Sequence, residues 1–390
     1  MSDARESWIT GIGLVSCLGE GPDAHLRALN EDAPRVDSTA FAPYVVHRIV
    51  PLDFDKQIPK KGDQRQMEPW QRIGTYAAGL ALDSAGLKGK TDLLSRTDMI
   101  VAAGGGERDA QVDLNVTAGV AKAKNPEAFV NERLMNDLRP TLFLAQLSNL
   151  LAGNISIVHG VTGSSRTFMG EESAGVDAVR IAHARIAAGQ SNLALVGGAY
   201  NAERWEVMLH FAMGRCLSHD AHKSVWERAG MELGTIGAFL VLEEKGHAER
   251  RGATPFARIA TVVADHARRS SGAVTATLER LWSGIAPRLD VAHAAVISGA
   301  SGVQPATAEE RDFLASRGLA VRATATHLGH GLEPQFPANI ALAAAALRTG
   351  RLFAPCDASE RPMEAVLRQA VVTSIGHWRG EGLALIETVS

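Results

Sequence analysis

The segment LAGNISIVHGVTGSSRTFMGEESAG, residues 151–175, reads as a strand that turns at Gly170 into a helix. The composition of residues 174–188 predicts that helix, and Glu171 and Glu172 stand where it opens. The first turn of a buried helix has unpaired backbone N–H groups and the positive end of the helix dipole, which stabilise an anion by about 0.3 to 1 kcal/mol. On this ground alone, Glu172 has a purely structural explanation.

Strand and helix patterns alternate along all 390 residues, which predicts an α/β fold. The predicted strands are residues 8–14, 98–103, 193–199, 237–244 and 294–300. The predicted helices are residues 70–87 and the alanine-rich residues 338–347, which carry so little polar surface that we expect them to be packed on both sides.

The chain divides most naturally near residue 246, where the strand GAFLVLEE is followed by the basic turn HAERRGA. Residues 193–199 (LALVGGA) and 294–300 (AAVISGA) look alike and form a faint internal repeat. We therefore expect two halves, residues 1–246 and 247–390.

A glycine triplet, residues 104–106, follows the predicted strand at residues 98–103. Glycines after a strand are typical of phosphate-binding loops, but here no Lys-Ser/Thr pair follows them. Glu107 would also repel a phosphate. The triplet therefore gives only weak support for phosphate binding.

The composition is that of a water-soluble globular protein, with 46% hydrophobic residues, 21% charged residues and a formal net charge of −3. The basic cluster at Lys60, Lys61 and Arg65 is short and interrupted, so we expect no nucleic-acid partner. The sequence has neither a signal-peptide pattern nor an apolar run of about 18 residues. We expect a cytoplasmic protein with no membrane partner.

The three cysteines, Cys17, Cys216 and Cys356, lie far apart and have no CxxC spacing. This spacing argues against a zinc site and against a disulfide framework. We expect no metal and no other cofactor, and we interpret each cysteine as a core or loop residue.

From end to end the chain resembles the ketosynthase group of the thiolase superfamily. Besides residues 151–175, the matching segments are WITGIGLVSCLGEG, RQMEPWQRIGTYAAGLALDSAGL, RIAAGQSNLALVGGA, GRCLSHD, GTIGAFLVLEEKGHAERRGA and THLGHGLEPQFPANIALAAAAL. They keep the order and spacing of that family. The resemblance implies a thiolase fold, in which two pseudo-duplicated α/β halves form a layered αβαβα core.

Ketosynthases of this group use a cysteine thiolate to accept the acyl chain and two histidines to support decarboxylation of malonyl-ACP. The resemblance places Glu172 at the cysteine, Ser298 of VISGASG at the first histidine and His330 of TATHLGH at the second. Ala325 stands at the family's lysine. A carboxylate is a poor nucleophile for thioester exchange, and the loss of one oxyanion donor alone costs on the order of 3 kcal/mol in other enzymes. We expect no condensation by this chain alone.

The C-terminal glycine loop, which resembles SFGFGGTN in active relatives, reads SIGHWRGE at residues 374–381. His377 stands at the gating phenylalanine, and Trp378 and Arg379 replace flexible glycines. We expect a bulkier and stiffer loop.

The pattern GEESAGVDAVRIAHARIAAG resembles the chain length factor of type II polyketide synthases, a ketosynthase-like subunit in which glutamine commonly replaces the cysteine. Here the substitute is Glu172, which adds an ionisable group. A buried carboxylate has to be neutral or paired, because an isolated charge is costly to bury. Arg166, Arg204 and His330 are the candidate partners.

This resemblance implies a non-catalytic subunit that forms a heterodimer with an active ketosynthase and receives an acyl chain carried on the phosphopantetheine of acyl carrier protein. Side-chain bulk in residues 111–144 would then set the depth of a tunnel at the shared interface. Apolar residues at helical spacing are also typical of plain core. The candidate wall residues are Leu114, Thr117, Val120, Phe129, Leu134, Met135 and Leu142.

Two other interpretations stay open. The first is a malonyl-ACP decarboxylase that uses His330, although Ser298 in place of the first histidine weakens that interpretation. The second is a homodimeric pseudoenzyme that binds an acyl chain. The resemblance does not separate aromatic polyketides from polyenes, and the departures at Glu172 and at the C-terminal loop favour an aryl polyene pathway.

Overall fold

The computed structural model describes residues 5–31, 33–138 and 142–389. Its strands are β1 (Ser7–Ser16), β2 (Gly19–Glu20), β3 (Val46–His47), β4 (Asp98–Ala102), β5 (Ser165–Phe168), β6 (Leu193–Tyr200), β7 (Leu233–Gly234), β8 (Ile236–Glu244), β9 (Ala257–Asp265), β10 (Ala294–Ser298), β11 (Ala320–Ala323), β12 (Gln369–Ile375) and β13 (Glu381–Glu387). Its helices are α1 (Pro22–Glu31), α2 (Lys61–Gln66), α3 (Pro69–Ser84), α4 (Thr91–Leu94), α5 (Ala110–Val120), α6 (Pro126–Asp137), α7 (Leu142–Ala145), α8 (Leu150–His159), α9 (Glu172–Ala187), α10 (Trp205–Met213), α11 (Lys245–Arg250), α12 (Ala273–Ile285), α13 (Ala306–Arg317), α14 (Ala325–Leu328) and α15 (Gln335–Thr349).

The predicted strands are confirmed as β1, β4, β6, β8 and β10, and the predicted helices as α3, α9 and α15. Two local predictions were wrong. The segment that opens at residue 151 begins inside helix α8, and its strand is only β5. The predicted basic turn is helix α11, because the Glu244 carboxylate accepts hydrogen bonds from the backbone N–H groups of Gly246 (2.9 Å) and His247 (2.8 Å) and so caps a new helix.

The strands form one mixed sheet in the order β11-β10-β12-β13-β9-β1-β8-β6-β4-β5, with β2 paired to β1 and a separate β3-β7 pair. Outward from the centre, β1, β8 and β6 are antiparallel, whereas β6, β4 and β5 are parallel. The series β9, β13, β12, β10 and β11 repeats this pattern. The chain therefore contains the same five-strand arrangement twice.

The structural repeat differs from the repeat in the sequence. Strand β6 takes the third place in its half, whereas β10 takes the fourth place in the other half, where its counterpart is β4. The two similar segments thus do not occupy equivalent places in the two halves. They are alike because each is a buried strand with a parallel neighbour. The division into residues 1–246 and 247–390 as domains stays a prediction.

Helices α9 and α15 form the middle layer, since each packs against strands of both halves. Residues 335–347 of α15 are all buried, as its alanine-rich sequence predicts. Helices α3 and α8 cover the outer face of the first half, and α12 and α13 cover that of the second. This is the layered, thiolase-like α/β architecture that the resemblance implied.

No helix in the ranges that the structure describes has both the length and the apolar character needed to cross a bilayer.

Candidate functional site

The candidate site lies where β5 turns into α9. Gly170 (φ 133°) and Glu171 (φ 56°, ψ −133°) both have positive φ, and α9 begins at Glu172. Such a backbone conformation is strained for a residue with a side chain and is concentrated at functional sites. A side chain at Gly175 would overlap the backbone oxygen of Glu333, so glycine there lets α9 approach the start of α15.

Glu172 is buried (2% exposed) and accepts hydrogen bonds from two histidines. Its Oε1 accepts from His330 Nε2 (2.8 Å), from His377 Nδ1 (3.0 Å) and from the His377 backbone N–H (3.1 Å). Its Oε2 lies 3.2 Å from His377 Nδ1. We call Glu172, His330 and His377 the Glu172 cluster. Of the three predicted partners of Glu172, only His330 is confirmed, and His377 is an additional partner.

The cluster is electrostatically paired. Burial alone would raise the pKa of Glu172, but the charges and hydrogen bonds of His377 and His330 hold that pKa well below its ordinary value. Burial alone would lower the pKa of His377, but the Glu172 carboxylate raises it. Glu172 is therefore an ionised acceptor, and its carboxylate favours the charged form of His377.

The other two predicted partners of Glu172 point elsewhere. Arg166 lies exposed on β5. Arg204 donates from Nε to the Asn201 carbonyl (3.0 Å) and from Nη1 to the Gly106 carbonyl (3.3 Å). Neither arginine contributes to the charge balance within the cluster.

The loop that carries His377, residues 376–380 between β12 and β13, is fixed from both sides. Arg269 Nη2 donates to the Gly376 carbonyl (2.6 Å), and its guanidinium also pairs with Glu381. On the other side, Trp378 Nε1 donates to Glu171. Together with the two bonds from His377 to Glu172, these contacts tie the loop to the start of α9.

The two remaining positions carried over from the family are buried but engaged elsewhere. The Ser298 hydroxyl, at the end of β10, donates to Glu310 Oε1 (2.8 Å). The Ala325 side chain packs in a small apolar cluster with Trp226, and its carbonyl accepts from Arg228 (3.3 Å). Neither position supplies the imidazole or ammonium group that condensation uses in the family.

The three thiols all lie within the described ranges, and the pKa of each is raised. Burial raises the pKa of Cys17 to about 12 and that of Cys356 well above its ordinary value. Burial raises the pKa of Cys216 too, and the charges of Glu172 and Glu171 add to the effect. A nucleophilic cysteine typically has a lowered pKa, so none of the three has the environment of a reactive thiol.

Two groups among the described residues hold three metal-ligand atoms within 4.8 Å of one another. One consists of Glu171, Glu172 and His377, whose oxygens already accept N–H bonds. In the other, His47 and His222 flank Glu232, and Arg228 supplies the positive charge at 2.9 Å from Glu232. In both groups, protein donors already occupy carboxylate oxygens that a metal ion would need.

A cavity of about 420 Å³ opens beside Glu171. The glycine triplet at residues 104–106 lies in its wall, opposite Glu333. Phe211 also lies in the wall, and its ring packs edge-on against His377 with the ring centres 5.5 Å apart. The glycine loop thus faces a buried carboxyl group.

The seven tunnel candidates lie on or beside the hairpin of α5 and α6. Leu114 and Met135 are 64% and 74% exposed, and Leu134 and Thr117 are also exposed. Val120 and Phe129 are half-buried, and Leu142 is buried. Residues 139–141 of the predicted tunnel region lie outside the described residues. The assignment of these residues to a tunnel stays a prediction.

An exposed apolar surface accompanies this hairpin. Met169, next to the edge strand β5, is 64% exposed, and α10 presents Trp205, Leu209 and Met213. Within the part of the chain that the structure describes, strand β5 pairs with β4 on one side only and ends the sheet. An unpaired edge strand beside large exposed apolar side chains is typical of a surface that a partner covers.

The chain resembles known proteins at the level of family and fold. Residues 7–248 match the family model described as the N-terminal domain of beta-ketoacyl synthases. The chain is 26% identical over 268 residues to the 3-oxoacyl-acyl-carrier-protein synthase 2 of Vibrio harveyi, which covers 65% of this chain and 61% of that protein. The alignment thus spans about three fifths of that relative's length.

Two solved structures share the fold over 99% of this chain and 100% of their own. One is the ishigamide ketosynthase/chain length factor, with a TM-score of 0.78 and 18% identity. The other is a type II PKS acyl-carrier protein in complex with its ketosynthase bound to the hexaketide, with a TM-score of 0.75 and 16% identity.

Proposed function

The chain belongs to the beta-ketoacyl synthase family, and we propose that it is a non-catalytic member, a chain length factor that pairs with an active ketosynthase. The observation that carries the proposal is the environment of Glu172. A buried, ionised carboxylate, bonded by His330 and His377, occupies the helix start where the family requires a thiolate.

The Glu172 cluster opposes catalysis in two ways. The lowered pKa of Glu172 makes the carboxylate a weak nucleophile, and its Oε1 already accepts three hydrogen bonds. His330 Nε2, the donor that an enolate would need in decarboxylation, is committed to Glu172. We therefore assign condensation to the partner ketosynthase, which has its own active-site cysteine.

The exposed apolar surface supports a partner of the same fold. Strand β5 has a free edge, and Met169, Leu209 and Met213 stand exposed near the start of α9 and on α10. An active ketosynthase that covers this surface would bury these side chains. Its own active site would then lie next to this chain, which places a growing acyl chain at the shared interface.

The proposed mechanism is steric. An acyl carrier protein delivers its phosphopantetheine-bound chain to the partner's cysteine, and the chain extends along the interface with this subunit. Each buried methylene contributes roughly 0.8 kcal/mol until an end wall stops extension. The product class is a polyketide or a polyene, and an aryl polyene pathway is the specific proposal.

Co-expression with the active ketosynthase tests the pairing. We expect the two chains to co-purify as a 1:1 complex and the carrier-bound products to have a defined length by mass spectrometry. Leu209→Asp combined with Met213→Asp should abolish co-purification, whereas Val291→Asp, an exposed apolar position in the other half, should not. A stable homodimer indifferent to ketosynthase, or release of carbon dioxide from malonyl-ACP by this chain alone, would contradict the proposal.

Small substitutions at the seven tunnel candidates test the length-setting role. We expect Phe129→Ala to lengthen the products of the complex, because Phe129 fills space against Gly119 that a chain would enter. Unchanged lengths in all seven variants would refute the tunnel assignment and leave the pairing untouched.

A further inference from the structure

Three polar atoms in the wall of the 420 Å³ cavity have no hydrogen-bond partner among the residues that the structure describes. They are Trp70 Nε1, Tyr200 Oη and Glu333 Oε2, and all three residues are buried. We call these residues the cavity triad. An unsatisfied buried donor or acceptor costs about 1 to 3 kcal/mol, so native structures rarely keep one without a reason.

The three unpaired groups come from separate elements. Trp70 lies in the first turn of α3, Tyr200 ends β6, and Glu333 precedes α15. Beside Trp70 and Tyr200, Glu107 accepts from the Trp70 backbone N–H (3.0 Å) and from Asn201 Nδ2 (3.0 Å). Other buried side chains, such as Gln71 and Thr75 of α3, also have an unpaired atom, but the cavity wall brings three such atoms together around one space.

Glycine at position 104 is required for this arrangement. A Cβ there would lie 2.5 Å from Glu333 Oε1, whereas a Cβ at Gly105 would meet nothing within 4 Å. The triplet that the sequence singled out therefore makes room for a carboxyl group instead of a phosphate. The carboxyl group, in turn, sits where a ligand in the cavity would reach it.

Glu333 is suited to a neutral oxygenated ligand. Burial, together with the charges of Glu172 and Glu171, raises its pKa to about 7. Near neutral pH a protonated Glu333 donates an O–H bond, as do the Trp70 N–H and the Tyr200 O–H. Three donors in one wall match carbonyl or hydroxyl oxygens, and a saturated alkyl chain would leave all three unsatisfied.

The geometry points to a ligand site in this subunit that selects acyl chains bearing oxygen, through hydrogen bonds from Trp70, Tyr200 and Glu333 to carbonyl or hydroxyl groups. The volume of about 420 Å³ lies within the range of small-ligand pockets. Phe211 and Leu332 supply the apolar part of the wall. This inference rests on the proposed function, because it names the class of chain that the subunit accommodates.

Binding of two matched probes to the complex with ketosynthase tests the inference. The probes are the octanoyl and 3-oxooctanoyl thioesters of N-acetylcysteamine, which differ only in one carbonyl, and affinities are measured by calorimetry. We expect the 3-oxo thioester to bind at least about fivefold more tightly. Tyr200→Phe and Glu333→Met should each reduce this preference, and both together should remove it.

Tyr76→Phe is the matched control, and it should keep the preference because it removes a buried tyrosine hydroxyl that lies outside the cavity wall and donates to Glu20. The substitutions change only this chain, so any binding of the probes to the ketosynthase subunit is the same in the wild type and in every variant. Equal affinities for the two probes, no binding of either, or a preference that survives the double substitution would overturn the inference. Product length is not measured, so failure here is separate from failure of the chain-length proposal.

Discussion

The Glu172 cluster and the cavity triad are two neighbouring buried polar regions. Phe211 lies between them, since its ring packs against His377 and also lines the cavity. In the cluster, both oxygens of Glu172 have N–H donors, and the carboxylate raises the pKa of the His377 ring beside it. In the triad, Trp70, Tyr200 and Glu333 each leave a polar atom unpaired. The carboxylate of the first region has its hydrogen bonds within the protein, although His330 Nδ1 has no partner among the described residues, whereas each member of the second region has a polar atom that only a ligand or water would pair.

This difference separates structure from recognition. A satisfied buried pair adds little when a ligand arrives but is costly to break, because the remaining partner is left unpaired. An unsatisfied group behaves in the opposite way, since its removal costs little and its pairing is favourable. On this account Glu172 belongs to the scaffold, and the proposed ligand site lies beside it.

The largest expected effect is the loss of the carboxylate in the cluster. Glu172→Ala leaves His330 and His377 buried without their acceptor and frees the loop at residues 376–380. We expect the free energy of unfolding to fall by about 3 to 5 kcal/mol in denaturant titrations. The neighbouring Glu171→Ala is the matched control, with an expected loss of less than about 1 kcal/mol. If the two variants were equally stable, the hydrogen bonds of Glu172 would contribute no more to stability than those of Glu171, which would contradict the account.

A smaller effect is expected at the glycine triplet. In Gly104→Ala the methyl group collides with the Glu333 carboxyl, and we expect a loss of about 1 to 3 kcal/mol. In Gly105→Ala the same methyl group meets nothing, so the melting temperature should stay close to that of the wild type. If both variants melted alike, the placement of Glu333 in the cavity wall would be wrong.

The pairing of Glu172 with His377 predicts a pH dependence. The contribution of Glu172, whose folded pKa is lowered, is present above its ordinary pKa of 4.5 and is lost as pH falls through the lowered value. The contribution of His377, whose folded pKa is raised, is complete below 6.5 and is lost as pH rises through the raised value. The pair therefore contributes most to stability between pH 4.5 and pH 6.5, where both contributions are complete.

The stability difference between wild type and His377→Gln measures this pairing. We expect it to be largest near pH 5 to 6 and to shrink as pH rises above neutral. In a Glu172→Gln background the same substitution should show no such pH dependence. A pH-dependent difference that persisted in that background would assign the titration to another group.

The smallest expected effect distinguishes two buried tyrosines. Tyr200→Phe removes an unpaired hydroxyl, so the free energy of unfolding should change by less than about 0.5 kcal/mol or rise slightly. Tyr76→Phe removes a hydroxyl that donates to Glu20 Oε2 (2.7 Å), and we expect a loss of about 1 to 3 kcal/mol. A larger loss at Tyr200 than at Tyr76 would mean that the Tyr200 hydroxyl is already satisfied.

The sequence predicted the fold well because periodic apolar strands and the alanine-rich α15 depend on local pattern. It failed at α11, where the decisive signal is one cap by Glu244, and at α8, where apolar residues of strand-like composition form a helix. Apolar composition does not separate a short buried helix from a strand, and a single cap decides a boundary.

For the site, the sequence located Glu172 and one of its partners, His330. It missed the contact of His377 with Glu172 and the unpaired groups of the cavity, because these depend on loops that are distant in sequence and meet only in the folded chain. One signal was available: Glu333 stands between the apolar residues Leu332 and Phe336, and an acidic residue in such a buried segment requires an explanation.

The most direct test of the central claim is intact-protein mass spectrometry of the complex with ketosynthase after turnover with acyl carrier protein and its acyl substrates. We predict acyl adducts on the partner subunit and on the carrier protein, and an unmodified mass for this chain. An acyl adduct on this chain, at Glu172 or at any of its three cysteines, would contradict the account.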